Sequence, residues 1–305
     1  MELLYWFESI RTPWLDAAMS LITHLGEETL FMVAALFVFW CVDKRRGYYL
    51  LSVGFVGTLV NQWLKIVCRI PRPWVRDPGF TIVESARIEA AGYSFPSGHT
   101  QCVVGYMGGV ARFTRRRWLQ VACVVLMTLT ALSRMYLGVH TPADVGVSFA
   151  VALALVFLLY PLVESTLWFP RRMYLLLGGM LALSGAFVCF VEFFPFPADV
   201  DAANLAAAVK NAWSMLGAVA GVLVVCAVDN QFLQFSTQAP WWGQGIKLVG
   251  GLALVVVVKS LLKAPLLALC GGHAAAHALR YFLMVLVAGC LWPMTFPLFQ
   301  RYARR

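Results

Sequence analysis

Uninterrupted apolar stretches of roughly 17–25 residues recur along this chain, each long enough as a helix to cross a hydrocarbon layer about 30 Å thick. Segments such as LALVVVV at 252–258 do not alternate in polarity, which excludes a transmembrane β-barrel. Of the 305 residues, 61% are hydrophobic and 13% charged. Soluble domains average about 45–50% and about 25%. A soluble single-core enzyme, a disordered chain and a disulfide-stapled secreted module are therefore excluded. The expected fold class is all-α, a polytopic transmembrane helical bundle.

About nine spans are expected, near 28–42, 46–69, 97–113, 118–136, 142–160, 172–195, 205–228, 244–268 and 277–300. Residues 1–26 are amphipathic and broken by Pro13, a pattern of short helices lying at the membrane surface. Residues 27–195 would form a six-span core, and 196–305 a C-terminal extension of about three transmembrane helices. The one long loop, 70–96, is polar and carries Pro71, Pro73, Pro78 and Pro96; loops of that length are usually functional. No removable signal peptide is expected, because the first span lacks a basic flank and a small-residue cleavage site. The 8 cysteines form no CxxC pair and sit mostly in apolar stretches, where Cys acts as a small hydrophobe.

The formal charge is +9. The basic residues gather at helix ends, which fits the positive-inside rule or an anionic ligand better than nucleic acid, so no nucleic-acid partner is expected. Alternate loops divide these residues almost evenly between two sides. On one side they cluster in short turns: 44–46, 112–117, 171–172, then Lys247, Arg301, Arg304 and Arg305. That side is read as cytoplasmic. It puts the C terminus inside and loop 70–96 outside.

Three segments place polar residues where a bundle would otherwise have none, and helix counting brings all three to the outer side. In Lys65-IVCRIP-Arg72-Pro73, the two cations are about two helical turns apart, and the prolines end the helix so that Arg72 can turn inward. Singly, either would be read as snorkelling to the interface. Together with Arg134 they offer fixed positive charge, and Arg suits bidentate phosphate contact. In Pro96-Ser97-Gly98-His99, a helix N-terminus presents free N–H groups to an anion, Gly98 permits close approach and Ser97 adds a donor. The plainer reading is a helix cap at Ser97. In Ser133-Arg134-MYLGV-His140-TPA-Asp144, the i,i+4 spacing lets Asp144 accept from one imidazole nitrogen of His140, leaving the other free to attack. The plainer reading there is an acid placed at the helix dipole. Two histidines, an acid, three cations and a helix N-terminus together are the parts for phosphoryl transfer.

As they stand here, KxxxxxxRP, PSGH and SRxxxxxHxxxD over 65–144 resemble the three-part signature of the type-2 phosphatidic acid phosphatase superfamily. That group includes membrane lipid phosphatases, undecaprenyl-diphosphate phosphatases, glucose-6-phosphatases and soluble vanadium haloperoxidases. The resemblance implies a metal-independent phosphatase without a cofactor. His140 would form a phosphohistidine and Asp144 would orient it. His99 would protonate the leaving oxygen and later activate water. Lys65, Arg72, Ser97, Gly98 and Arg134 would hold the phosphoryl oxygens.

Weaker signals remain. His273 and His277 have the spacing of two metal ligands but no third, so no metal site is expected. Lys259 and Lys263 share a helix face near the outer side, where they either snorkel or hold an anion between them. Glu192, among phenylalanines, reads as interfacial. The expected function is hydrolysis of a lipid phosphate or pyrophosphate, such as undecaprenyl diphosphate or a phosphatidate-like headgroup, with membrane lipids as neighbours. The nine-span layout resembles glucose-6-phosphatase, which keeps a sugar phosphate open. A non-catalytic phospholipid-binding or transport protein is the alternative of another class.

Overall fold

A computed structural model describes residues 1–88, 90–164 and 169–300. Among these residues no β-strand forms; the chain is a succession of helices. They are α1 (Glu2–Ser9), α2 (Pro13–Thr23), α3 (Glu28–Phe37), α4 (Lys44–Cys68), α5 (Pro73–Arg76), α6 (Gly98–Phe113), α7 (Arg117–Tyr136), α8 (Pro142–Glu164), α9 (Phe169–Phe193), α10 (Ala202–Val228), α11 (Trp241–Leu261), α12 (Lys263–Leu269), α13 (Ala275–Leu286) and α14 (Phe296–Gln300).

Seven of the described helices are long and apolar enough to cross a membrane, and the segments Pro13–Gly26 and Glu28–Val42, bent by 49°, make an eighth if they act as one span. The expected stretch 97–113 is helical but short. Pro96 keeps the helix from starting earlier and Ser97 caps it, so α6 has 16 residues, roughly 24 Å of rise. Arg301, Arg304 and Arg305, counted above on the cytoplasmic side, lie outside the described residues.

Contacts divide the chain into two compact units. The first comprises Met1–Ala34 and Leu50–Tyr160. Here α6 meets α4 where Gly105 faces Val53, and meets α8 where Gly108 faces Val156. Small residues at such crossings let helix backbones approach. The N-terminal helices pack on the end of α7. Leu4 is fully buried with Phe80, Ile82, Ala131, Met135 and Val145. Burying a leucine is worth ~1.5–3 kcal/mol, enough to hold α1 against this cluster. Arg11 donates from Nε and Nη2 to the Tyr136 carbonyl, and the Tyr136 hydroxyl donates to Asp16. The Val83 amide donates to the Leu137 carbonyl and the Ser94 amide to that of Ile70. The long loop is thus pinned at several points, its Ala86 and Ala90 buried beside Tyr136, Leu137 and Val139.

The second unit comprises Ala35–Tyr49 and the chain from Pro161 onward. Gly217 and Gly221, a GxxxG pair on α10, lie directly against Ala278, Phe282 and Val285 of α13. The buried Asp229 carboxylate accepts from Lys44 at 2.6 Å, and the Trp40 indole donates to the Ala288 carbonyl.

Candidate active site

All eight residues singled out from the sequence fall in the first unit, at the end of α4, the start of α6, and the turn from α7 into α8. The helix α4 stops at Cys68, and Arg69 takes a left-handed conformation with φ of 51°. Arg72 therefore does not share a helix face with Lys65. It is extended (φ −63°, ψ 154°) before Pro73, as a residue preceding proline should be. That break swings its guanidinium into the site. Nε donates to the Gly92 carbonyl at 3.0 Å, Nη2 to Ala91 at 3.0 Å, and Nη1 to Val139 at 2.9 Å. Nη1 also lies 3.0 Å from Nε2 of His140. Lys65 Nζ donates to the Tyr93 carbonyl at 2.7 Å.

The turn that delivers His140 is a Schellman motif. Gly138 sits at φ +81°, its amide donates to Met135, and the Val139 amide reaches back to the Arg134 carbonyl. A Cβ on Gly138 would stand 2.9 Å from both Phe80 and the Arg11 guanidinium. Gly138→Ala is therefore expected to cost roughly 1–2 kcal/mol from the backbone alone. A thermal melt of purified protein should show a lower midpoint, and an unchanged midpoint would refute the constraint.

Asp144 is the third residue of α8 and completes a capping box with Thr141. The Thr141 amide donates to Asp144 Oδ2 at 2.8 Å, while the Asp144 amide donates to Thr141 Oγ1 at 3.3 Å. The same Oδ2 accepts from Ser94 Oγ at 2.5 Å. His140 Nδ1 stands 3.5 Å from it, within ion-pair reach and beyond a good hydrogen bond. Both side chains are almost wholly buried. Burial first, then the charges of Arg72, Arg134 and Lys65, hold the His140 imidazole well below the ordinary histidine range, so it is neutral at physiological pH.

Ser97 caps α6, accepting from the Thr100 amide at 3.4 Å and the Thr100 hydroxyl at 3.0 Å. Its own amide donates to the Asp144 carbonyl, tying the α6 start to the α8 start. A Cβ added to Gly98 would meet nothing within 4 Å, so there is open space beside the first residue of α6. That is where a helix N-terminus can receive an anion. Arg134, fully buried in the last turn of α7, donates from Nη1 to Thr23 Oγ1 at 2.6 Å. His99 lies within electrostatic reach of Arg134, Arg72 and Lys65, as His140 does.

Sequence reasoning missed two side chains. Ser94 stands two residues before Pro96, and its place in a polar loop beside the motif is the signal that would have flagged it. Thr23 comes from α2, and no spacing links it to Arg134. Of the weaker signals, His273 packs its ring on Trp213, and Glu192 accepts from the Trp213 indole at 2.7 Å.

Comparison with known proteins places this geometry in a family. Residues 45–168, which contain Ser94 and all eight residues singled out from the sequence, match the model of the PAP2 superfamily. Residues 213–304 match that of the PAP2 superfamily phosphatase transmembrane extension. The chain is 29% identical over 164 residues to phosphatidylglycerophosphatase B of Bacillus subtilis, covering 49% of this chain and 75% of the relative. It is 29% identical over 148 residues to the undecaprenyl-diphosphatase BcrC of the same organism, covering 48% and 74%. It is 29% identical over 143 residues to human sphingosine-1-phosphate phosphatase 2, covering 45% and 35%. No solved structure matches. The two family models and the relatives agree with the three motifs, and the chain belongs to the PAP2 superfamily.

Proposed function

We propose that this membrane phosphatase hydrolyses a lipid phosphate or pyrophosphate, undecaprenyl diphosphate or a phosphatidate-like lipid, through a phosphohistidine on His140. The observation that carries the reading is the placement of the buried His140 between Asp144 and Arg72. Its Nδ1 is turned to Asp144 and its Nε2 lies 3.0 Å from the Arg72 guanidinium. A proton kept on Nδ1 makes Nε2 the nucleophile, its lone pair released to phosphorus as Arg72 Nη1 turns its hydrogen bond to a phosphoryl oxygen. The lone pair attacks phosphorus, the P–N bond forms and the ester or anhydride P–O bond breaks, with His99, protonated once the negative charge of the bound phosphate offsets the neighbouring cations, delivering that proton to the departing oxygen. His99 then takes a proton from water, whose oxygen displaces His140 and releases inorganic phosphate. Arg72, Arg134, Lys65 and the N–H groups of Gly98 and His99 would carry the charge that develops on the equatorial oxygens. These groups supply the electrostatic stabilisation from the chain itself, so no metal ion or cofactor is required by the scheme.

Ser94 would act as a positioning residue, its hydroxyl holding the Asp144 carboxylate at His140. Ser94→Ala leaves Asp144 with the Thr141 amide alone. A fall in kcat of about tenfold with little change in KM is expected, the loss of one hydrogen bond to a charged group. Steady-state kinetics would read it; a rise in KM alone would mean that Ser94 serves substrate binding.

The basic residues at 44–46, 112–117 and 171–172 support a cytoplasmic location for those turns, which puts the site on the extracytoplasmic face and the C terminus inside. The relatives named as phosphatidylglycerophosphatase and undecaprenyl-diphosphatase support a tailed substrate. The test is phosphate release by purified protein, in EDTA, from undecaprenyl diphosphate, phosphatidate, phosphatidylglycerophosphate and glucose 6-phosphate. Release from the tailed substrates alone is expected. Equal release from glucose 6-phosphate would replace the lipid reading with a sugar-phosphate one. Silence throughout would return a binding protein.

A further inference from the structure

The second unit holds a groove of about 530 Å³, open to the surface and wholly apolar in its lining, with Val224 of α10, Val258 and Leu262 at the α11–α12 junction, and Leu283, Val287 and Leu291 along α13 and its continuation. Cations stand at one end of it. Lys263 directly follows Leu262. Arg280 is on the same face of α13 as Val287, two turns nearer the helix start. Lys210, Lys263 and Arg280 all lie close enough to His277 to act on it electrostatically.

Arg280 is the anomaly. It is 5% exposed, and among the described residues its Nε is buried without a hydrogen-bond partner and no carboxylate lies within ion-pair distance. Its guanidinium lies 5.2 Å from the ring centroid of its neighbour Tyr281. The chain segments of this unit outside the described residues, 165–168 and 301–305, contain no Asp or Glu. A buried guanidinium nitrogen without a partner is unfavourable. Snorkelling accounts for the exposed Lys210 and Lys263 but leaves the buried Nε of Arg280 unpaired. An anion would complete its bonding, and the apolar groove beside it has the chemistry to take an attached acyl tail. From Arg280 to Leu291 the helix rises roughly 16 Å, the reach of one acyl chain.

We infer that the second unit binds an anionic phospholipid of the bilayer, with its phosphate among Arg280, Lys263 and Lys210 and one acyl tail in the groove between α10, α11 and α13. The loops flanking these cations are those read from the sequence as lying on the outer side, so the head would sit at that interface and the tail would run toward mid-membrane. This site draws on none of the residues assigned to hydrolysis, and it stands whether or not the chain proves to be a phosphatase.

The probe is phosphatidylglycerol with a diazirine in its acyl tail, photolysed with the full-length protein in vesicles, followed by peptide mapping. Label is expected on 258–262 and 283–291, competed by unlabelled phosphatidylglycerol but not by phosphatidylcholine or glycerol 3-phosphate. R280Q combined with K263Q should reduce the labelling about tenfold, the equivalent of ~1.4 kcal/mol, while R280K should retain most of it. Should R280Q fail to fold, K210Q with K263Q changes only exposed residues and should still weaken labelling severalfold. Equal labelling by a phosphatidylcholine analogue, or unchanged labelling in the folded charge variants, would overturn the proposal. Competition by glycerol 3-phosphate would overturn the tail and leave a site for small anions.

Discussion

His140→Ala should abolish turnover, lowering kcat by at least about a thousandfold, while leaving the fold intact. The second half of that expectation comes from what surrounds the imidazole. Arg72 Nη1 keeps the Val139 carbonyl at 2.9 Å, and its other nitrogens keep Ala91 and Gly92. Asp144 keeps Ser94 and the Thr141 amide. No buried charge is stranded by the truncation, so the variant should elute and melt much like the parent. Rapid quenching of the parent with labelled substrate should trap phosphate on the protein in a bond stable to base and labile to acid, the behaviour of a phosphoramidate. The variant should incorporate none. Substantial turnover in a folded His140→Ala protein would exclude His140 as the nucleophile.

Much of this site was legible before any coordinates, because membrane helices impose parity. A chain that crosses in alternation returns Lys65, the PSGH turn and the His140 turn to one end of the first unit, and spacing alone brings them together. Helix count was less secure. Hydropathy marks 97–113 as a span, but Pro96 and Ser97 decide where α6 begins, and the result is a helix short of the hydrocarbon thickness. Asp144 was legible only in part. Its i,i+4 spacing to His140 is real, yet a carboxylate at the third helical position also closes a capping box with Thr141, and the shorter contacts are those with Thr141 and Ser94. The two readings of that acid, helix cap and histidine partner, prove to be compatible. Thr23 was illegible, since its contact with Arg134 depends on how α2 packs against α7.

Arg72→Lys separates charge from geometry, and its expected effect is second only to that of His140. The substitution keeps one positive charge at this position. It loses a planar fork whose three nitrogens reach Ala91, Gly92, Val139 and His140 at once. An ammonium group on a longer flexible stem cannot span those directions. Ala91 and Gly92 are exposed, so their carbonyls can turn to water and the fold should lose little. The cost should fall instead on the transition state. Under the proposed mechanism Arg72 Nη1, beside Nε2 of His140, would donate to an equatorial oxygen as the P–N bond forms. Removing one such preorganised donor typically costs 10²–10³ in kcat, and a drop of about that size in kcat/KM is expected. Vanadate supplies the independent check, because it takes up the five-coordinate geometry of phosphorus in flight. If Arg72 contacts the transition state more strongly than the substrate, vanadate inhibition should weaken by about the same factor as kcat/KM falls, with KM nearly unchanged. A rise in KM with kcat and vanadate inhibition preserved would make Arg72 a substrate-binding residue. Full activity in the lysine variant would show that charge suffices and that the fork at His140 serves the fold alone.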